Sequence, residues 1–150
     1  MMTAPSVKAH SQDVKIRALF VLKFIENVTW PDEKKNVVIG VLGKSEILPE
    51  IQNRLQQRNP NGLTIKKITG AEAATCDVIY IPGSEHHLIQ QIGASSSVTL
   101  IISETDMSRK GSGISFIEEG GRLTFLINKA SIESRGLKIS SSLLSLGKQV

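Results

Sequence analysis

The sequence predicts an α/β fold: a single-domain sandwich with a mixed sheet, a parallel core flanked by helices, and a C-terminal β-hairpin. Three observations carry this. Val37–Leu42, Cys76–Ile81 and Val98–Ile102 are continuous apolar runs, the pattern of strands buried on both faces. Segments of helical period separate them, and strands alternating with helices build parallel sheets through right-handed crossovers. Two further apolar runs, Ile114–Ile117 and Leu123–Ile127, flank Glu118-Glu119-Gly120-Gly121. Glycine accepts positive φ, so this pair reads as antiparallel strands joined by a tight turn.

The elements follow in order. From about Val7 to Val28 the pattern is helical, and Val14, Ala18, Val21, Leu22, Ile25 and Val28 fall in one core-facing arc. Ile16, Phe20 and Phe24, four apart, form a second stripe beside Arg17, Lys23 and Asn27. Either another layer of the same chain covers it, since globular helices commonly bury a wide arc, or it docks on a subunit or partner, since a row of exposed aromatics is costly for a lone monomer. Pro31, after Thr29-Trp30, stops the helix. Residues 1–10 are expected to be disordered or foreign to the natural chain. Ile47–Gln57 reads as an amphipathic helix, and Asn59-Pro60-Asn61-Gly62 as a turn. Leu63–Ile68 alternates as a strand nearer the sheet edge would. Pro82-Gly83 closes the second buried run. Glu85–Ile92 is expected to be helical with Ser84 as N-cap, residues 93–97 to loop, and Thr105–Ser112 to form a mobile loop. Asn128 caps a short helix ended by Arg135-Gly136, and Ile139–Leu146 holds the last apolar segment.

A chain of 150 residues reads as one domain over 1–150, large enough to bury roughly 70% of its unfolded surface. Apolar content of 40% with 21% charged residues is ordinary for a globular domain. The net charge of +4 is spread along the chain, and Lys and Arg never run longer than two. That pattern argues against a nucleic-acid binder, which shows a basic stripe with interleaved aromatics. The lone Cys76 cannot form an internal disulfide. No apolar run approaches the ~18 residues of a membrane span. The first ten residues contain no apolar signal core, so either the protein is cytosolic or its export signal is missing from this sequence.

The motifs that look chemical are weak. Gly43-Lys44-Ser45 after a strand resembles the tail of a phosphate-binding loop, but Val38 stands where that loop needs its first glycine. His86 and His87, with Cys76 and Glu85 in reach, invite a metal reading. Neighbouring residues on a helix point about 100° apart and rarely share an ion. Ser84 lacks a nucleophile elbow, and Gly111-Ser112-Gly113 lacks the third glycine of a dinucleotide fingerprint. Cys76 reads as a small buried hydrophobe. No acid, base and nucleophile are brought together, so the expectation is a protein that is not an enzyme, with no cofactor and no metal.

Three segments taken together are more specific. Arg17 to Pro31 resembles the opening helix and Trp-Pro signature of the YfiR-like family, and Cys76–Ile81 its central strand. Gly111 to Leu144 resembles its closing block, above all Gly121-Arg122, Phe125, Ile127-Asn128, Gly136-Leu137 and Ile139-Ser140-Ser141 before Leu143-Leu144. The chain departs from the family pattern in its single cysteine, in Asn27 where an aromatic is frequent, in Ser142 where lysine is common, and in Leu126 before Ile127-Asn128.

The resemblance implies a small α/β regulator exported to the bacterial periplasm. Such a protein would bind the extracytoplasmic part of a membrane diguanylate cyclase, or of a sensor kinase, and hold it inactive, so limiting cyclic di-GMP synthesis and biofilm formation. An outer-membrane lipoprotein as second partner and a homodimer are also implied, with no nucleic acid. The alternative is the ligand-binding sensory domain of a histidine kinase or cyclase. Phe20, Phe24 and Trp30 are the expected partner or dimer contacts. Arg122 and Asn128 are the polar positions expected either to meet a ligand or to serve the structure, Asn128 as a helix cap.

Overall fold

The structure, a computed structural model, describes residues 5–31, 36–60, 62–95 and 98–150, with side chains from Asp13 onward. Helix α1 (Pro5–Glu26) leads into β1 (Val28–Thr29), β2 (Val38–Leu42), α2 (Ile47–Gln57) and β3 (Thr64–Ile68). A 3-10 helix, Gly70–Thr75, precedes β4 (Val78–Ile81), and a second, Gly83–Leu88, runs into α3 (Ile89–Ser95). Then come β5 (Leu100–Ser103), a 3-10 turn at Ser108–Lys110, β6 (Ile114–Glu119), β7 (Arg122–Ile127) and α4 (Lys129–Ser134). The chain finishes with β8 (Lys138–Ile139), α5 (Ser141–Leu144) and β9 (Lys148–Gln149).

Among the described residues, seven strands form one sheet in the order β3-β2-β4-β5-β6-β7-β9. Strands β2 to β6 are parallel, and β7 turns back antiparallel to β6, from Ile114↔Ile127 to Glu119↔Arg122. Gly120 and Gly121 join these two strands with φ of 60° and 77°. Positive φ at both central residues is the backbone of the tight turn that matches strand twist, which the Gly-Gly pair allows without strain. The mixed sheet with parallel core and terminal hairpin is therefore the architecture that the sequence predicts. β3 is the edge strand, as its alternation suggested.

The continuous apolar runs are explained by two cores, one on each face. Val41, Val78, Tyr80, Ile102, Ile114 and Phe116 pack with α1 and α2, while Leu42, Ile79, Ile81 and Ile101 pack with the 3-10 segments and α3. Successive strand residues point to opposite faces, so a strand covered on both sides must be apolar throughout. Gly40 sits on the second face because a Cβ there would lie 2.5 Å from Cys76 Sγ and 2.7 Å from Ile68 Cδ1.

The helical stripe Phe20 and Phe24 is covered by the hairpin. Phe24 is fully buried, with its ring centroid 4.8 Å from Phe125 and 5.7 Å from Phe116; Phe20 lies 5.4 Å from Phe125. Of the two readings of that stripe, coverage within the same chain is the one observed for Phe20 and Phe24. Ile16 at 40% and Leu19 at 53% remain exposed.

A second, two-stranded sheet pairs β1 with β8 antiparallel, Val28 opposite Ile139. Asn27 reinforces the pairing: its carbonyl accepts from Ser140 N–H at 2.9 Å, and its Oδ1 from Ser140 Oγ at 2.7 Å. The first and last of the segments that carry the family resemblance thus meet in space.

Several local expectations differ. The backbone of residues 5–10, expected to be disordered, is helical, and residues 1–4 lie outside the described residues. Helix α3 extends to Ser95 rather than giving way to a loop at Gly93, and residues 96 and 97 of that loop lie outside the described residues. Pro82, not Ser84, stands at the cap position of the Gly83–Leu88 helix. Proline's fixed φ suits that position, and Ser84 is carried inside the turn. Thr105–Ser112, read as a mobile loop, contains a 3-10 turn and two buried serines, Ser108 and Ser112. Ser103 Oγ stands 2.9 Å from Ser112 Oγ and 3.0 Å from Ser115 Oγ, and Ser115 Oγ accepts from Met107 N–H. Serines scattered over thirteen positions give no periodic signal, which is why this buried hydroxyl cluster was not read from sequence.

Candidate functional site

The sheet order creates a crevice. From β2 the chain crosses outward to β3, then returns to lay β4 on the other side of β2. Open α/β sheets bind ligands where the order reverses, outside the carboxyl ends of the strands. Here that place lies between Gly43-Lys44-Ser45, which follows β2, and Pro82-Gly83-Ser84, which follows β4. A cavity of about 250 Å³ opens there, roofed by Val14 and Arg17 of α1 and closed on its far side by Glu104 after β5.

Its polar groups are organised by buried ones. Tyr80 points from β4 toward α1 and is fully buried, and its hydroxyl donates to Glu104 Oε2 at 2.6 Å. Glu104 Oε1 accepts from the Gly83 backbone N–H at 3.1 Å. Burial first, and then the facing Glu104 carboxylate, push the Tyr80 phenol far above its ordinary value, so it remains a donor. Arg17 sits opposite, its guanidinium carbon 5.9 Å from the centroid of the Phe116 ring. The Arg17 Nε is buried and has no hydrogen-bond partner. Lys44, exposed, adds a second cation at the mouth. Glu46 adds a second carboxylate.

A second concavity, about 380 Å³, lies between α1 and α2 and is mainly apolar. Leu19 and Leu22 form one wall, Leu55 and Leu63 the other, with Glu26, Arg54 and Arg58 at the rim. Arg54 pairs with Glu50 at 3.4 Å.

The residues expected at a docking surface are distributed differently. Phe24 and Trp30 are buried, at 0% and 6% exposure, and Phe20 is half-buried against Phe116 and Phe125. A side chain enclosed by its own chain has no surface left to offer. Phe24 and Trp30 are therefore corrected to core residues. Arg122 is exposed beside the hairpin turn, opposite Glu119. Asn128 is a structural cap: its Oδ1 accepts from Ser131 N–H at 3.0 Å and its Nδ2 donates to the Ser108 carbonyl at 2.8 Å.

Cys76 is a free, buried thiol at the end of the first 3-10 helix, before β4 rather than in it. Burial pushes its pKa up. His86 and His87 are exposed on the second 3-10 helix. Among the described residues no three His, Cys, Asp or Glu side chains gather as a metal cage would require.

Sequence reading missed Arg17, Tyr80 and Glu104 as a group. Tyr80 lies near the carboxyl end of one buried run and Glu104 just after another, and that shared position is the signal that could have found those two.

A family model described as YfiR/HmsC-like matches residues 14–148. No curated protein matches the chain. Among solved structures, an ABC domain in complex with L-Trp from Streptococcus pneumonia is similar, with a TM-score of 0.52 and 16% identity. The alignment covers 76% of this chain and 55% of that one, so this chain spans about half its length. That likeness concerns the fold alone.

Proposed function

The chain belongs to the YfiR/HmsC-like family, and from that premise we propose that it is a non-catalytic periplasmic regulator. It binds the extracytoplasmic part of a membrane diguanylate cyclase or sensor and holds it inactive. The observation that carries this reading is the family match, which runs across nearly all of the described fold. No helix among the described residues is long and apolar enough to cross a membrane. A regulator of this kind acts by differential binding. It shifts its partner toward the inactive state only to the extent that it binds that state more tightly.

The contact surface on this reading is the exposed ridge of α1, Ile16 and Leu19, with the apolar groove beside it. Leu19 and Leu22 offer an apolar wall, and Arg58 at the rim offers a charge that selects the partner's acidic side chains. Phe20 supports the ridge from beneath. A second copy of the chain and an outer-membrane lipoprotein are further partners of the same reading.

The test is capture of a co-expressed cyclase from detergent-solubilised membranes by the purified protein, with cyclic di-GMP synthesis measured alongside. Wild type is expected to bind and to slow synthesis. Leu19→Asp is expected to fold normally and to lose both effects. A wild type that binds no cyclase or sensor and leaves synthesis unchanged defeats the reading.

A further inference from the structure

We propose that the crevice between the carboxyl ends of β2 and β4 is a binding site for a small organic monocarboxylate, held by the Arg17 guanidinium. The proposal goes beyond the docking role and does not depend on it.

Three observations converge. The crevice lies where the strand order reverses, the place at which open α/β sheets bind small molecules. Arg17 presents a buried Nε with no partner, and a buried donor left without an acceptor is costly unless a ligand supplies one. Glu104, which also lines the crevice, accepts from the Tyr80 hydroxyl and the Gly83 N–H. Those two bonds hold the Glu104 carboxylate in place as one wall of the crevice. A planar fork of N–H donors matches the paired oxygens of a carboxylate or a phosphate.

Charge and size set the class further. Two cations, Arg17 and Lys44, and two carboxylates, Glu46 and Glu104, line the cavity. Each unit of negative charge brought into a cavity that also holds carboxylates is disfavoured, so a single charge seated on Arg17 is preferred to a phosphate dianion. The cavity of about 250 Å³ is small for a ligand pocket, so the molecule is compact. Its body lies over Pro82 and the Tyr80 ring, and Ser84 at the mouth reaches a hydroxyl or amine on the ligand's outer end.

The test is a backbone-amide NMR titration of the full chain with acetate, lactate and benzoate, with benzamide as the uncharged match and inorganic phosphate as the dianion. Benzoate or lactate is expected to give saturable shifts at Lys44, Ser84 and Glu104. Benzamide and the Arg17→Gln variant are each expected to bind about tenfold or more weakly, the loss that follows removal of one charge-assisted hydrogen bond. Arg17→Lys replaces Arg17→Gln if the latter does not fold, and is expected to retain part of the affinity. The proposal is overturned if none of the acids gives a saturable shift, if benzamide matches benzoate, if the Arg17 variant binds as wild type does, or if phosphate binds more tightly than every acid. Loss of cyclase capture with intact acid binding would defeat the docking role alone.

Discussion

One turn apart on α1, Arg17 and Phe20 open onto two different environments. Phe20 and Phe24 enter a closed aromatic cluster under the β6–β7 hairpin, where every ring has ring neighbours within about 6 Å. Arg17 reaches a crevice in which its Nε has no acceptor. The aromatic stripe looked like an interaction surface and is core. The arginine looked like ordinary helix polarity and has a buried nitrogen with no hydrogen-bond partner. Apolar residues on a helix find cover whenever the fold offers a second layer, whereas a buried hydrogen-bond donor still needs an acceptor.

The comparison breaks most visibly through the aromatic side. Phe24→Ala is expected to cost about 3–5 kcal/mol in denaturant unfolding, because the cluster closes poorly around the space left. A loss below about 1 kcal/mol would mean that the hairpin does not seal this face. On the opposite face of the sheet, Gly40→Ala is expected to destabilise by about 1–3 kcal/mol, since its new methyl meets Cys76 Sγ and Ile68 Cδ1.

The crevice side gives smaller stability effects and a pH signature. Tyr80→Phe removes the donor to Glu104 and is expected to cost about 1–2 kcal/mol. Tyr80 is the single tyrosine, so tyrosinate absorbance reports it alone. Its folded pKa is raised, so its share of stability is complete below the ordinary phenol value, about 10, and declines as pH rises beyond it. Wild type is expected to show no tyrosinate until it unfolds at alkaline pH, and Tyr80→Phe a shallower alkaline loss. Asn128→Ala, at the α4 cap, is expected to cost about 1 kcal/mol with acid binding unchanged. Leu19→Asp is expected to change stability by no more than about 0.5 kcal/mol, which keeps it usable as a probe of docking.

Much of the fold was legible because its signals are local or strictly periodic. Continuous runs such as Cys76–Ile81 mark strands covered twice, and Gly120-Gly121 marks one turn type. The site was less legible because its members, Arg17, Lys44, Tyr80 and Glu104, are far apart in sequence and meet only through strand order. Phe24 and Trp30 were misplaced for a related reason: a helix shows which residues share a face, but not how many layers will cover it. Ser84 lost its expected cap role to Pro82, two positions earlier, where a fixed φ outweighed a side-chain acceptor.

The pairing of Val28 with Ile139 has a consequence for how the molecule is made. A ribosome delivers α1 first, yet the strands that shelter its phenylalanines, and the short ladder that clasps its end, come from the last third of the chain. Until that third has emerged, the helix carries an uncovered greasy side, and loop closure over more than a hundred residues is needed to hide it. A stop codon late in the gene would therefore strand the helix, not merely trim the tail.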